Sequence, residues 1–257
     1  MAEFCLSSLI RHALDWRQMK IESAGTKSDH KKRIEGIEFV FCHLIIESLQ
    51  QLNVHPIPER DILKLLNIAF EQFKNVITVE DRVPQISELY GEALGVLSEH
   101  RHHQVRLRFL AELRKLRSHE TSVNQISSVL NGMKFFKVKM YPIEDFTESV
   151  HFLKEMGDYL HDAIDSRDKE LQRNLALVIT EILAPLAATI NSEVNVPILR
   201  QFVDSLYPSV LELAKKKRNL PWVAPLVQLL LAVSQKQYFL NHWSIFLGPS
   251  SVLLINI

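Results

Sequence analysis

The sequence has 257 residues, of which 47% are hydrophobic and 23% charged, and it contains only seven glycines. This composition is typical of a folded chain that is long enough to bury a core, and it excludes extensive disorder. Thirty basic residues balance thirty acidic residues, so no excess of charge draws the whole molecule to nucleic acid or to an anionic membrane.

Apolar residues recur at helical spacing along most of the chain. Residues 1–36 are predicted to form an N-terminal helix and a polar, basic linker. Further helical stripes follow, in chain order, at 37–52, 62–73, 86–97, 107–116, 150–160, 171–190, 198–214 and 222–234. Prolines stand where several of these helices would begin, a position that has no intrahelical hydrogen bond to lose. The pattern predicts about ten or eleven helices and no extended strand.

The number and length of the helices predict an all-α fold, built either as a closed bundle or as a stacked array of helical hairpins. A hairpin of about 40 residues is the size of a HEAT or armadillo repeat, which buries its apolar faces by stacking on its neighbours. We therefore predict an irregular HEAT/armadillo-like α-solenoid of stacked helical hairpins.

One segment, MKFFKVKMYPIEDF at 133–146, alternates lysines with apolar residues before a proline and an acidic run. We interpret 133–141 as an extended connector, because Asn131-Gly132 favours a helix end and Pro142 a helix start. Alternation then assigns Phe135 (or Phe136), Val138 and Met140 to the space between helical layers, and Lys134, Lys137 and Lys139 to the outside.

Charge is uneven around this connector. Basic residues predominate from 101 to 139, and acidic residues predominate from 144 to 170. One hypothesis is that the two regions are complementary surfaces for protein partners; the other is that adjacent helices neutralise each other. The partner-binding residues that the first hypothesis selects are Arg114, Lys115, Arg117, Lys134, Lys137 and Lys139.

The chain lacks the common motifs of catalysis. It contains no GxGxxG, Walker loop, GxSxG or HExxH. The histidines His100, His102 and His103 could bind a metal, but without a nearby cysteine they are better explained as a solvated helix boundary. The run Lys215-Lys216-Lys217-Arg218 suits a helix end, with a nuclear import signal or a phosphate patch as alternatives. We predict no catalytic residue, metal or cofactor, and no enzyme.

The two cysteines, Cys5 and Cys42, have no metal-ligand spacing and favour a reduced, intracellular protein. The longest uncharged segments, 219–235 and 237–257, contain prolines or a Gly-Pro pair, whereas a membrane span needs about 20 continuous apolar residues. These segments are predicted to be buried helices, so no transmembrane span is expected.

Six colinear segments resemble the N-terminal region of the Furry family of cell-morphogenesis proteins. They are NIAFEQF (67–73), LYGEALGVL (89–97), RFLAELRKLR (108–117), GMKFFKVKMYPIEDF (132–146), EVNVPILRQFVDSLY (193–207) and VSQKQYFLNHWSIFL (233–247). The resemblance implies a helical-repeat domain over residues 37–247. It stops after Leu247, where an apolar tail outside the family pattern, GPSSVLLINI at 248–257, follows, so the chain resembles a fragment, a short isoform or an incomplete gene model.

The resemblance implies a non-enzymatic scaffold in cell morphogenesis and polarised growth, including neurite patterning. It implies protein partners, chiefly an NDR-class kinase with its Mob coactivator, and also microtubules. It further implies a cytoplasmic location with enrichment at the cell cortex or at sites of polarised growth. The alternative that remains open is a generic HEAT-type transport adaptor or a nucleic-acid-associated adaptor, although the balanced charge makes nucleic acid an unfavourable partner.

Overall fold

A computed structural model describes residues 2–25, 29–52, 57–76, 84–118, 123–138, 143–189 and 197–242. The chain divides into two compact units, Met1–Lys137 and Val138–Ile257. All regular secondary structure in the described residues is helical. The predicted all-α fold is therefore confirmed.

The first unit contains six helices that pack as three consecutive hairpins. They are α1 (Ala2–Ser23), α2 (His30–Leu49), α3 (Glu59–Val76), α4 (Pro84–His100), α5 (His102–Ser118) and α6 (Val123–Met133). Each odd-numbered helix packs on the even-numbered helix that follows it, and α2, α4 and α6 pack on one another in a row. Helix α4 is central, because it contacts α2, α3, α5 and α6. A change on its surface therefore alters contacts with most helices of the unit.

The second unit repeats this arrangement with two hairpins. Its helices are α7 (Ile143–Asp165), α8 (Lys169–Thr189), α9 (Pro197–Ala214) and α10 (Leu220–Ala232), with a 3₁₀ turn at Lys217–Asn219. Helices α7 and α9 pack together, as do α8 and α10, which is the stacking expected of helical repeats. Residues 236–242 are also helical, and the predicted tail at 248–257 lies outside the described residues.

The apolar stripes of the sequence form the core of each unit. In the first unit the largest fully buried side chains include Phe41, Phe70 and Phe109, and in the second they include Phe152, Phe202 and Tyr207. Stacking of one hairpin on the next removes these faces from water, which is worth about 1.5–3 kcal/mol for each large apolar side chain. The prediction of stacked helical hairpins is confirmed in both units.

Two helix boundaries differ from those that the sequence predicts. Helix α2 begins at His30, so its first two turns come from residues predicted as linker. These residues are highly charged and lack the apolar spacing by which the helix start was predicted. Helix α6 continues through Gly132 to Met133, because Met133 is completely buried and its burial outweighs the preference of Asn131-Gly132 for a helix end.

Helix α8 is the one described helix that is long and apolar enough to cross a membrane, over Lys169–Ala188. Length and composition are weak evidence, since a core helix passes the same test. Seven of its apolar side chains are buried, namely Leu175, Ala176, Val178, Ile179, Ile182, Leu183 and Leu186. Its contacts with α7 and α10 account for its hydrophobicity.

Candidate partner-binding surface

The connector that follows α6 is held against the surface of α4. The Phe136 side chain is only 3% exposed, and its ring lies 4.7 Å from the His102 ring, centroid to centroid. One residue later, the backbone N–H of Lys137 donates to Ser98 Oγ over 3.0 Å. Ser98 is completely buried, and its hydroxyl donates in turn to the Gly95 carbonyl over 2.6 Å. The connector is thus a packed element of the first unit.

Gly95 is what allows this close approach. A Cβ atom at this position would lie 2.4 Å from the Phe135 carbonyl oxygen and 2.9 Å from Phe135 Cβ. Both distances are shorter than any ordinary van der Waals contact, so a side chain larger than hydrogen would push the connector away. The GxxxG spacing of α4 suggests close packing, and in the structure the segment packed on Gly95 is the connector.

Lys134 and Lys137 lie along α4 in different environments. Lys134 Nζ is 3.2 Å from Glu88 Oε1 and 4.9 Å from the centroid of the Phe135 ring, with its side chain only 25% exposed. Lys137 is exposed. Phe136 is the buried aromatic residue of the predicted pair. The outward position predicted for the lysines therefore describes Lys137 well and Lys134 only partly.

Arg114 and Lys115 are exposed residues of α5. Each already interacts with another group, so neither is a free charge. Arg117 belongs to the same helix, but its side chain lies outside the described part of the structure, as does all of Lys139. Of the six predicted partner-binding residues, the connector brings Lys134 and Lys137 onto α4, while Arg114 and Lys115 lie on a neighbouring helix of the same unit.

The histidines near the start of α5 have separate roles. His102 is buried and packs on Phe136, so the prediction of a solvated boundary is wrong for this residue, whereas His103 is exposed. Within the described residues, no group of three or more histidine, cysteine or acidic side chains could hold a metal ion.

A buried charged network in the same unit was missed from the sequence. Arg17 on α1 donates two hydrogen bonds to Glu38 on α2, with Nε–Oε2 and Nη2–Oε1 distances of 2.8 and 2.6 Å. The Tyr90 hydroxyl on α4 donates to Glu38 Oε2. All three side chains are buried. The sequence did indicate burial of Glu38, because this residue lies one helical turn before Phe41 and Cys42 on the apolar stripe of α2.

The surroundings of this network are apolar and change the acidity of its neighbours. Burial raises the pKa of the Cys42 thiol to about 12, and the nearby Glu38 charge acts in the same direction. Burial likewise raises the pKa of Tyr90, with the neighbouring Cys42 and Glu38 contributing. Both groups therefore keep their protons at neutral pH, and neither acts as a nucleophile. The role of the network is structural, because its hydrogen bonds link α1, α2 and α4.

Comparison with known proteins identifies relatives of this chain. The family described as "Cell morphogenesis N-terminal" matches residues 31–253, which extends beyond both ends of the range 37–247. The chain is 24% identical over 248 residues to the cell polarity protein mor2 of Schizosaccharomyces pombe, an alignment that covers 92% of this chain and 11% of the relative.

A second relative is the cell morphogenesis protein PAG1 of Saccharomyces cerevisiae. It is 25% identical over 214 residues, which covers 80% of this chain and 9% of the relative. The chain thus spans about a tenth of the length of the curated relatives it matches. No solved structure matches it.

Proposed function

This chain belongs to the cell morphogenesis N-terminal family, which confirms its resemblance to the N-terminal region of the Furry family, and from that membership we propose that it acts in cell morphogenesis and polarised growth. The proposed role is that of a non-enzymatic scaffold. The names of the two fungal relatives, a polarity protein and a morphogenesis protein, support the process. Stacked helical hairpins, which provide extended binding surfaces, support the mode of action.

The proposed partner is an NDR-class kinase with its Mob coactivator. This follows from the resemblance to the Furry family, as do neurite patterning, microtubule association and enrichment at the cell cortex. The observation that carries a binding surface is the connector on α4, which presents the exposed Lys137 on a backbone fixed by Ser98 and Gly95. A fixed backbone lowers the entropy that a partner must remove on binding.

The surface is proposed to comprise Arg114, Lys115, Arg117, Lys134, Lys137 and Lys139. The exposed members, Arg114, Lys115 and Lys137, are assigned direct contact with an acidic partner surface. Lys134 is assigned a supporting role, because its bond to Glu88 and its place over Phe135 already hold it against the unit. Contacts between exposed charges weaken as salt increases.

The test is retention of the kinase and Mob from cell lysate by the immobilised full chain at increasing salt. The informative variant carries Arg114→Glu, Lys115→Glu and Lys137→Glu. The matched control reverses three other exposed basic residues, Lys64, Lys154 and Arg173, and so changes the net charge by the same amount. A second variant with Arg117→Glu and Lys139→Glu examines the two remaining residues.

We expect the first variant to lose both proteins while the charge-matched control retains them. Equal loss from both would show that total charge, and not this surface, attracts the kinase. If the folded wild-type chain retained neither the kinase nor Mob, the proposed partner would be wrong.

A further inference from the structure

A basic cleft in the second unit lies outside the proposed partner surface. It has a volume of about 370 Å³ and forms where the turn between α7 and α8 meets the turn between α9 and α10. Four cationic side chains line it, Arg167 and Lys169 from the first turn and Lys216 and Arg218 from the second. No acidic side chain of the described residues lines it. Two segments about 50 residues apart in sequence thus bring four positive charges to one cavity.

All four cations are exposed, and none forms an ion pair with a described residue. Asp168 accepts the Leu171 N–H at the start of α8, Glu212 pairs with Lys215, and the neighbouring Asp165 and Glu170 are exposed to solvent. Four unpaired like charges repel one another, and an anion in the cleft would remove that repulsion.

The two turns that form the cleft are held in place by two amide side chains, one buried and one half-buried. Gln172 Nε2 donates to the Ala163 carbonyl over 2.9 Å, and Asn219 Nδ2 donates to the Leu213 carbonyl over 3.0 Å. Gln172 is 7% exposed. Both amides lie in the lining of the cleft and bind the last turns of α7 and α9. The backbone of the cleft is therefore fixed without a ligand.

Arg167 occupies a backbone position that usually belongs to glycine. Its φ is 59°. The Arg167 N–H donates to the Ile164 carbonyl and the Asp168 N–H donates to the Ala163 carbonyl, each over 3.1 Å. These two hydrogen bonds are those of a Schellman helix end. Glycine adopts this conformation without steric cost and arginine does not. An arginine in this strained conformation, which glycine would adopt more easily, points to a use for its side chain.

We propose that this cleft binds a small molecule or headgroup that carries two or more phosphates, such as a phosphorylated inositol ring. Each phosphomonoester carries a charge of about −1.5 to −2 at pH 7, so two phosphates match four cations. Small-molecule sites have volumes of about 300 to 1,000 Å³, a range that includes this cleft and that exceeds the need of a single ion. Specific protein–DNA interfaces bury about 1,000 to 2,500 Å² of protein surface, which is a much larger contact than one small cleft provides.

The test measures binding of the full chain to two probes that distinguish the source of the headgroup. One probe is free inositol trisphosphate, followed by calorimetry. The other is a phosphatidylcholine vesicle containing phosphatidylinositol bisphosphate, compared with a vesicle of equal charge made with phosphatidylserine. Binding of the free ring alone identifies a soluble ligand, and preference for the inositol lipid over phosphatidylserine identifies a membrane headgroup.

The matched variants come from a single run of four basic residues. Lys216 and Arg218 line the cleft, whereas Lys215 and Lys217, which alternate with them in sequence, do not. We expect the Lys216→Ala/Arg218→Ala variant to bind at least about tenfold more weakly, because two charge-assisted contacts are lost. The Lys215→Ala/Lys217→Ala variant, with the same net charge, should bind within about twofold of the wild type, since exposed charges outside the site are screened.

A third variant, Arg167→Gly, separates binding from folding. Glycine accepts the positive φ, so the thermal midpoint should stay equal or rise while affinity falls. The proposal is overturned if the wild-type chain binds neither probe, or if both pairs from the basic run weaken binding equally. An unchanged affinity in a folded Arg167→Gly chain would also overturn it.

Discussion

Glu38 is the residue on which three helices of the first unit depend. It accepts both hydrogen bonds from Arg17 and one from Tyr90, and all three groups are buried. Removal of one member of a buried ion pair leaves the other charge without compensation, at a cost of about 3–5 kcal/mol. Glu38→Ala should therefore lower the free energy of unfolding in urea by that amount.

Two further variants show how the network divides its energy. Tyr90→Phe removes one hydrogen bond to a charged group and should cost about 1.5–3 kcal/mol. Arg17→Met with Glu38→Leu removes both charges and should recover most of the loss, because apolar replacements of a buried pair are often neutral or stabilising. A Glu38→Ala chain as stable as the wild type would show that the network carries little energy.

Cys42 provides a pH-dependent test of the same region. The unfolded thiol titrates near pH 9.0, whereas burial raises the pKa in the folded chain to about 12. The folded state therefore binds the proton more tightly, so the contribution to stability is complete below pH 9 and is lost as the pH rises towards 12.

In a Cys5→Ser background at pH 8, a thiol reagent should leave native Cys42 unmodified and react fully after denaturation. Rapid labelling of the native chain would show that the thiol is accessible, contrary to its 1% exposure.

At the residue scale, the sequence predicts apolar burial better than polar burial. Phe136 and the core stripes follow from spacing, because the helical period places them on one face. Glu38 and Asp61 are also buried, but the local pattern does not identify their partners on another helix. Arg17 of α1 pairs with Glu38 and Arg11 of α1 with Asp61, and only the fold brings these residues together.

At the scale of elements, the contact between α4 and the connector depends on one missing side chain. An alanine at Gly95 would place its Cβ 2.4 Å from the Phe135 carbonyl oxygen, and the connector would have to move. Overpacking of this kind costs about 1–3 kcal/mol, so Gly95→Ala should lower the thermal midpoint and expose the backbone N–H of Lys137 to hydrogen exchange.

Gly36 in α2 supplies the matched control. It is exposed, and nothing lies within 4 Å of a Cβ built there. Gly36→Ala should raise stability by up to about 1 kcal/mol through helix propensity alone. If both substitutions changed stability in the same direction, the space at Gly95 would not be the deciding factor.

Most helices were predictable from the sequence, and the connector was predictable in part. The apolar period identified the helices, since a 3.6-residue repeat is a local property. Connector residues 136–138 are irregular, as predicted, but residues 139–141 lie outside the described structure. The cleft lined by Arg167 and Lys216 was not predictable, because it forms only when the ends of two hairpins meet.

At the scale of the molecule, a net charge of zero conceals local groups of basic residues. Exposed Arg114, Lys115 and Lys137 of the first unit form the proposed partner surface, and four cations line the cleft of the second unit. The boundary between the units falls at Lys137 and Val138, within the predicted connector. Periodicity could not reveal this division, because consecutive hairpins have the same apolar pattern whether or not they pack as one unit.

We propose that the exposed cations of the first unit bind an NDR-class kinase with Mob. Its most direct test is the affinity of the purified full chain for a purified kinase–Mob complex, measured over a range of salt concentrations. We expect affinity to fall as salt increases, and Arg114→Glu/Lys115→Glu/Lys137→Glu to weaken binding by at least about tenfold. The charge-matched Lys64→Glu/Lys154→Glu/Arg173→Glu chain should bind like the wild type. Salt-independent binding, or equal affinity of the two variants, would show that these cations do not form the kinase-binding surface.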